Sequence, residues 1–80
     1  MKREVTNIDG INYEVRELTA RSVLEIMELD DGVSNLAVEM AKRSVYKDGK
    51  LMGDNVLDLP FSGYQALVDV VNGLHTSKND

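Results

Sequence analysis

Apolar and polar residues alternate from Ile11 to Arg16, with Ile11, Tyr13 and Val15 set against Asn12, Glu14 and Arg16. This is the period of a half-buried strand. The preceding Asn7-Ile8-Asp9-Gly10 reads as a turn, with Gly10 free to adopt positive φ because it lacks Cβ. The expected loop has three residues and closes on a bulge. That register sets Asn7 opposite Ile11, Val5 opposite Tyr13 and Arg3 opposite Val15, gathering apolar side chains on one face. A two-residue Asp-Gly loop would instead put Val5 on the face away from Tyr13. Residues Met1 to Ile8 and Ile11 to Arg16 form the predicted hairpin.

After the hairpin the period lengthens to that of helices. Thr19 is placed as an N-cap, with Leu18 and Val23 spaced for a hydrophobic staple. A first helix is expected from about Ala20 to Leu29, with Ala20, Val23, Leu24 and Met27 on one face and Ile26 at its edge. A hairpin alone is marginal in water, so this face is expected to cover the sheet or another helix. Asp30, Asp31 and Gly32 break the helix, and Asp31 or Ser34 is expected to cap the next one. The second helix is predicted from Val33 or Asn35 to Val45, lined by Val33, Leu36, Ala37, Met40, Ala41 and Val45. Lys42 and Arg43 in its last turns suit the helix dipole, and Glu39 is spaced to pair with Arg43. Residues Tyr46 to Gly53 form a second Asp-Gly turn, either a small hairpin or an extended excursion. A single helical turn is expected over Asp54 to Leu59. Pro60 then fits the first turn of a last helix, whose stripe is Phe61, Tyr64, Leu67, Val68, Val71 and Leu74, with Gly73 near its C-terminal cap.

The reading is α+β: an N-terminal β-hairpin packed with about three amphipathic helices in a single small domain over 1–75. Residues 76–80 are expected to be a flexible polar tail. The length of 80 residues suits one domain, with an expected radius of gyration of about 12 Å.

Charge and composition narrow the function. The net charge of −5 argues against a general binder of nucleic-acid backbones. The absence of Cys excludes disulfides and thiolate zinc sites. No apolar run approaches the roughly 18 residues that span a bilayer, and Lys2, Arg3 and Glu4 do not begin a secretory signal. Neither membrane nor nucleic acid is an expected partner, and the expected location is the cytoplasm. His75 is the single histidine. Without clustered partners it reads as a helix-terminal or tail residue and not as a ligand or general base. The aspartates of 30–31 and 48–54 lack the alternating ligands and closing Glu of a calcium loop. Gly10, Gly32, Gly49 and Gly53 are isolated turn residues and not a phosphate loop. No serine has a visible His and acid partner. No catalytic, cofactor or metal residue is therefore assigned. The acidic group Glu25, Glu28, Asp30 and Asp31 contrasts with the basic group Lys42, Arg43, Lys47 and Lys50, and these read first as solvated faces, with a charged surface that steers a partner as the alternative. Met27 and Met40 are expected in the core, while Met52 stays open between core and surface.

The succession of motifs resembles the phage tail assembly chaperone family, encoded upstream of the tape measure protein of long-tailed phages and prophages. Residues Gly10-Ile11-Asn12-Tyr13-Glu14-Val15-Arg16-Glu17-Leu18-Thr19-Ala20 are followed by an acidic helix and by an alanine-containing helix ending Arg43-Ser44-Val45. Next come Lys47-Asp48-Gly49-Lys50-Leu51, then Leu57-Asp58-Leu59-Pro60, and a last helix ending Val71-Asn72-Gly73-Leu74. In the family a strand leads through "LTA" into a helix, a "DGK" turn follows the second helix, and "LP" opens the last one. The resemblance implies a non-enzymatic protein that needs no cofactor. Its partner would be the tape measure protein, kept soluble until tail tube subunits polymerise around it, with the tail tube protein a second candidate. The host would be a bacterium, and a homo-oligomer or several copies per partner are expected. Apolar residues near the second turn, Tyr46, Leu51 and Met52, together with Leu29, are the candidate partner-binding residues. Other readings are a small acidic regulatory or anti-host module and a structural head–tail or tail-completion protein. The family is often made in two lengths by ribosomal frameshifting, and Ser77-Lys78-Asn79 is a sequence that a slippery heptamer can encode.

Overall fold

The computed structural model describes residues 1–76, and Ser77 to Asp80, with most of the predicted tail and the frameshift sequence, lie outside the described residues. The order of elements is β1 (Arg3–Ile8), β2 (Ile11–Arg16), α1 (Ala20–Met27), α2 (Leu36–Ser44), β3 (Val45–Lys47), β4 (Lys50–Leu51), a 3-10 helix (Gly53–Asp58) and α3 (Phe61–His75). The fold is α+β, as expected. The sheet is larger than the predicted hairpin: β1 to β4 pair in chain order in one four-stranded antiparallel sheet. The second Asp-Gly turn is therefore a hairpin, and it joins the first one through β2 and β3.

Both hairpins turn in the same way. Asp9 and Gly10 have φ of 54° and 83°, and Asp48 and Gly49 have 55° and 79°. Two consecutive positive φ values mark the type I′ loop, whose twist matches that of the strands. The register of β1 on β2 accordingly differs from the expected bulged one. Ile8 faces Ile11, Thr6 faces Tyr13 and Glu4 faces Val15. Val5 lies on the other face and is 63% exposed. The expected register rested on gathering apolar residues, but β1 is an edge strand and contributes only Ile8 to the core. Turn geometry decided the register instead. The Asn7 side chain supports it, accepting from the Gly10 amide at 3.2 Å and donating to the Asn12 side chain at 2.8 Å.

Tyr13, Val15 and Val45 are buried on one face of the sheet, in a core with Ile26, Met40, Ala41, Val56, Leu67, Val68, Val71 and Leu74. The last helix supplies four of these residues, as its period predicts. Phe61, placed in the same stripe, is 73% exposed. It opens α3, and its ring lies 6.2 Å from that of Tyr64. The helix also runs past Gly73 to His75, so Gly73 is an exposed helical residue and not a cap. Pro60 stands one place before the helix, at its N-cap.

The first helix differs from expectation in its facing. Thr19 caps it, with Oγ1 accepting from the Ser22 amide at 3.1 Å. Ile26, expected at the edge, is its fully buried residue, and Val23 packs beside the core. Leu24 and Met27 point outward, and Met27 is not a core residue. The helix ends at Met27, two residues short of the expected Leu29. A Cβ on Gly32 would lie 1.7 Å from the carbonyl oxygen of Ile26. The connection therefore folds back onto the end of α1, and only glycine permits that approach. This turn displaces the start of α2 to Leu36, with Asn35 at the N-cap in place of Asp31 or Ser34, and leaves Val33 exposed. Val45, expected at the end of α2, is instead the first residue of β3.

Two stability predictions follow from this packing. Leu67→Ala, which empties a fully buried site, is expected to cost about 2–4 kcal/mol, and Val71→Ala somewhat less, both read from urea melts. A loss below about 0.5 kcal/mol would mean that α3 does not hold the core. Gly32→Ala is expected to cost about 1–3 kcal/mol because a backbone oxygen cannot move as a flexible side chain would; an unchanged urea midpoint would contradict the close approach.

Candidate interaction surfaces

The outer face of the sheet carries an ion cluster beside the apolar side chains of Val5, Tyr46 and Leu51. Arg3, Glu14 and Arg16 are brought to it by the observed register. The Glu14 carboxylate accepts from Arg3 at 3.0 Å and from Arg16 at 3.2 Å. The Arg16 guanidinium also lies 3.8 Å from the centre of the Tyr46 ring, a favourable cation–π distance. The hydrogen bond from Arg16, joined by Arg3, holds the Glu14 carboxyl below its ordinary value, and Glu14 in turn raises Arg16. Tyr46 faces Leu51 across β3 and β4. Two of the four expected partner-binding residues are thus neighbours on this face. The third, Met52, is half-buried against the core, its amide donating to the Val45 carbonyl at 2.9 Å. It lines a concavity of about 280 Å³ with Lys47, Lys50, Leu51 and Asn55. The fourth, Leu29, is exposed in the connection after α1, in a separate element from the other three.

A second ion network ties α2 to the 3-10 helix. Glu39 accepts from Arg43 at 2.6 Å, as its spacing predicts, and from Lys42 at 3.4 Å, while Lys42 reaches Asp54 at 3.3 Å. The Arg43 hydrogen bond lowers the Glu39 carboxyl, and the contact with Asp54 raises Lys42. Lys42 and Arg43, grouped with Lys47 and Lys50 in the sequence, are therefore engaged inside the domain.

His75 has a structural role that the sequence hid. Its Nε2 accepts from the Leu18 amide at 2.8 Å, and its Nδ1 lies 2.8 Å from the Val71 carbonyl. Because an amide donates to Nε2, the ring proton sits on Nδ1 and points at Val71. The last residue of α3 thus fastens the segment leading into α1. Nearby, the Lys2 amide donates to the Glu17 carboxylate at 2.9 Å and lowers that group. The residues joined by the histidine bond lie 57 positions apart, and no local pattern signals such a pair.

Two further apolar surfaces are open among the described residues. One is a cleft of about 180 Å³ between the tip of the first hairpin and the start of α3, walled by Ile8, Ile11, Tyr13, Leu59, Pro60 and Gly63. The other is the outward stripe of α1, where Leu24 is 58% and Met27 45% exposed. Among the described residues no three His, Asp or Glu side chains gather as a metal site, and no helix is long and apolar enough to cross a membrane. No protein-family model matches the chain, and neither a curated protein nor a solved structure does.

His75→Ala is expected to leave the Leu18 amide without its acceptor and to cost about 1–3 kcal/mol, with faster hydrogen exchange at Leu18; unchanged exchange would refute the fastening role. The lowered carboxyls of Glu14, Glu17 and Glu39 set the sign of the acid response. Their contribution is complete above the ordinary glutamate value of 4.5 and is lost as pH falls through their lower folded values. Urea midpoints should therefore fall on acidification below about pH 4.5, and Glu39→Gln should shrink that fall. An equal fall in the variant would remove Glu39 from the account.

Proposed function

We propose that this chain is a non-enzymatic tail assembly chaperone of a phage or prophage, acting in the cytoplasm of a bacterial host. Its proposed partner is the tape measure protein during tail morphogenesis. The ordered succession of motifs from Gly10 to Leu74 carries the reading. Physical chemistry supports it in two respects. An acidic domain adds charge to a complex and so opposes its aggregation. The apolar side chains left uncovered on α1 and beside Phe61 offer surface to a partner that exposes apolar stripes of its own. Leu29, Tyr46, Leu51 and Met52 remain the proposed contact residues, with Tyr46 and Leu51 acting as a pair.

Co-expression with a tape measure protein from the same gene neighbourhood tests the reading. The expected result is co-purification and a several-fold rise in soluble tape measure protein. Tyr46→Ser with Leu51→Ser, both on the surface of the sheet, is expected to reduce that rise. A tape measure protein equally soluble with and without this chain would overturn the assignment.

A further inference from the structure

The α1 helix has two outward rows of side chains. Ala20, Leu24 and Met27 recur at i, i+4 and i+7 and form one exposed row. Arg21, Glu25 and Glu28 recur at the same spacing and form the next row, on the side of the helix away from Val23. Asp30 and Asp31 extend the acidic side beyond the helix. From Arg21 to Asp31 there are four carboxylates and one guanidinium. None of these charged groups is in an ion pair among the described residues, whereas Glu14 and Glu39 are each held by two cations. The stripe is therefore an apolar strip with a border in which carboxylates outnumber the single arginine.

From this arrangement we infer that the outward face of α1 docks a basic amphipathic helix of a partner protein. Leu24 and Met27 meet the partner's apolar stripe, while Glu25 and Glu28 meet lysines or arginines along its edge. Charge complementarity selects this occupant. A second copy of the chain meeting this face with its own would bring together four carboxylates from each copy with only one arginine from each to offset them. An anionic lipid surface is repelled in the same way. Helix-on-helix packing matches the geometry, since a partner helix whose anchors recur at i, i+3 and i+4 presents the same kind of ridge as the stripe. Methionine adds adaptability to the contact. The inference adds a surface and a partner chemistry to the chaperone reading, but it rests on α1 alone and stands for any partner that presents such a helix.

The test uses the full chain and a fluorescent peptide of about 18 residues, long enough to form a helix in water, with Leu at i, i+3 and i+4 positions and Lys on the flanks. Saturable binding is expected, weakening as salt is raised. Leu24→Ser with Met27→Ser should weaken it at least ~10-fold, as should Glu25→Lys with Glu28→Lys. The second pair should also abolish the salt dependence. A peptide with Glu in place of Lys should bind at least ~10-fold more weakly. All four substituted positions are exposed, and circular dichroism of each variant confirms folding. Val5→Ser, on the exposed edge strand of the sheet, should leave peptide binding unchanged. Absence of binding, binding indifferent to the α1 variants, or binding lost with the sheet variant would each overturn the inference. Peptide binding without tape measure capture would refute the chaperone reading while leaving this surface assigned; capture that persists in both α1 variants would do the reverse.

Discussion

Burial of Tyr13, Val15 and Val45 on a single face of the sheet is the constraint on which the other elements depend. The β2 strand lies between β1 and β3, so its backbone groups are paired on both sides and its side chains must choose one face for the core. α3 covers that face with Leu67, Val68, Val71 and Leu74, while α2 adds Met40 and Ala41. Early and late parts of the chain are therefore needed together, since neither the hairpin nor the helix buries its apolar face alone. The bond from the Leu18 amide to His75 closes the same arrangement at the far end of α3.

A four-stranded sheet with helices on one face leaves its other face to water. Glu14 between Arg3 and Arg16, and Arg16 over Tyr46, show how that face is occupied without helices. Long side chains lie across the strands and cover apolar atoms with their stems while their charges are mutually satisfied. The same economy appears around Glu39, where Arg43, Lys42 and Asp54 link a helix to the turn after it. These networks absorb most of the charge near the sheet and α2. Among the described residues, Glu25 and Glu28 of α1 enter no such network.

The α1 helix is fixed by a narrow seam: Ile26 is its one buried residue, with Leu18 and Val23 packed alongside. A helix held along one edge keeps a second edge free. The free edge of α1 is apolar, and Leu29 and Val33 in the following connection are exposed as well. A stable scaffold thereby presents hydrophobic side chains on a regular element, which orients them better than a loop does. Tyr46 and Leu51 offer a second, more polar patch, where the aromatic ring already supports an arginine.

Features governed by neighbours in the sequence were legible from it. The Thr19 cap, the Glu39–Arg43 pair, the break at Asp30 to Gly32 and the long stripe of α3 each depend on a few consecutive residues. The α+β class followed from the change of period after Arg16. Tertiary structure decided what periodicity leaves open. A helical pattern groups Ala20, Leu24 and Met27 on one side but does not say whether that side or the adjoining Ile26 side meets the core. An Asp-Gly pair announces a turn, yet the backbone conformation of that turn, a two-residue loop and not a bulged one, decides that Thr6 and not Val5 faces Tyr13. Val45 to Leu51 became strands because β2 had an open edge to receive them. Of the proposed contact residues, Leu29 and Leu51 were placed at the surface and Met52 was turned toward the core, a division set by packing. His75 lies farthest from local inference, since its bond from the Leu18 amide exists only when the end of α3 stands beside the start of α1.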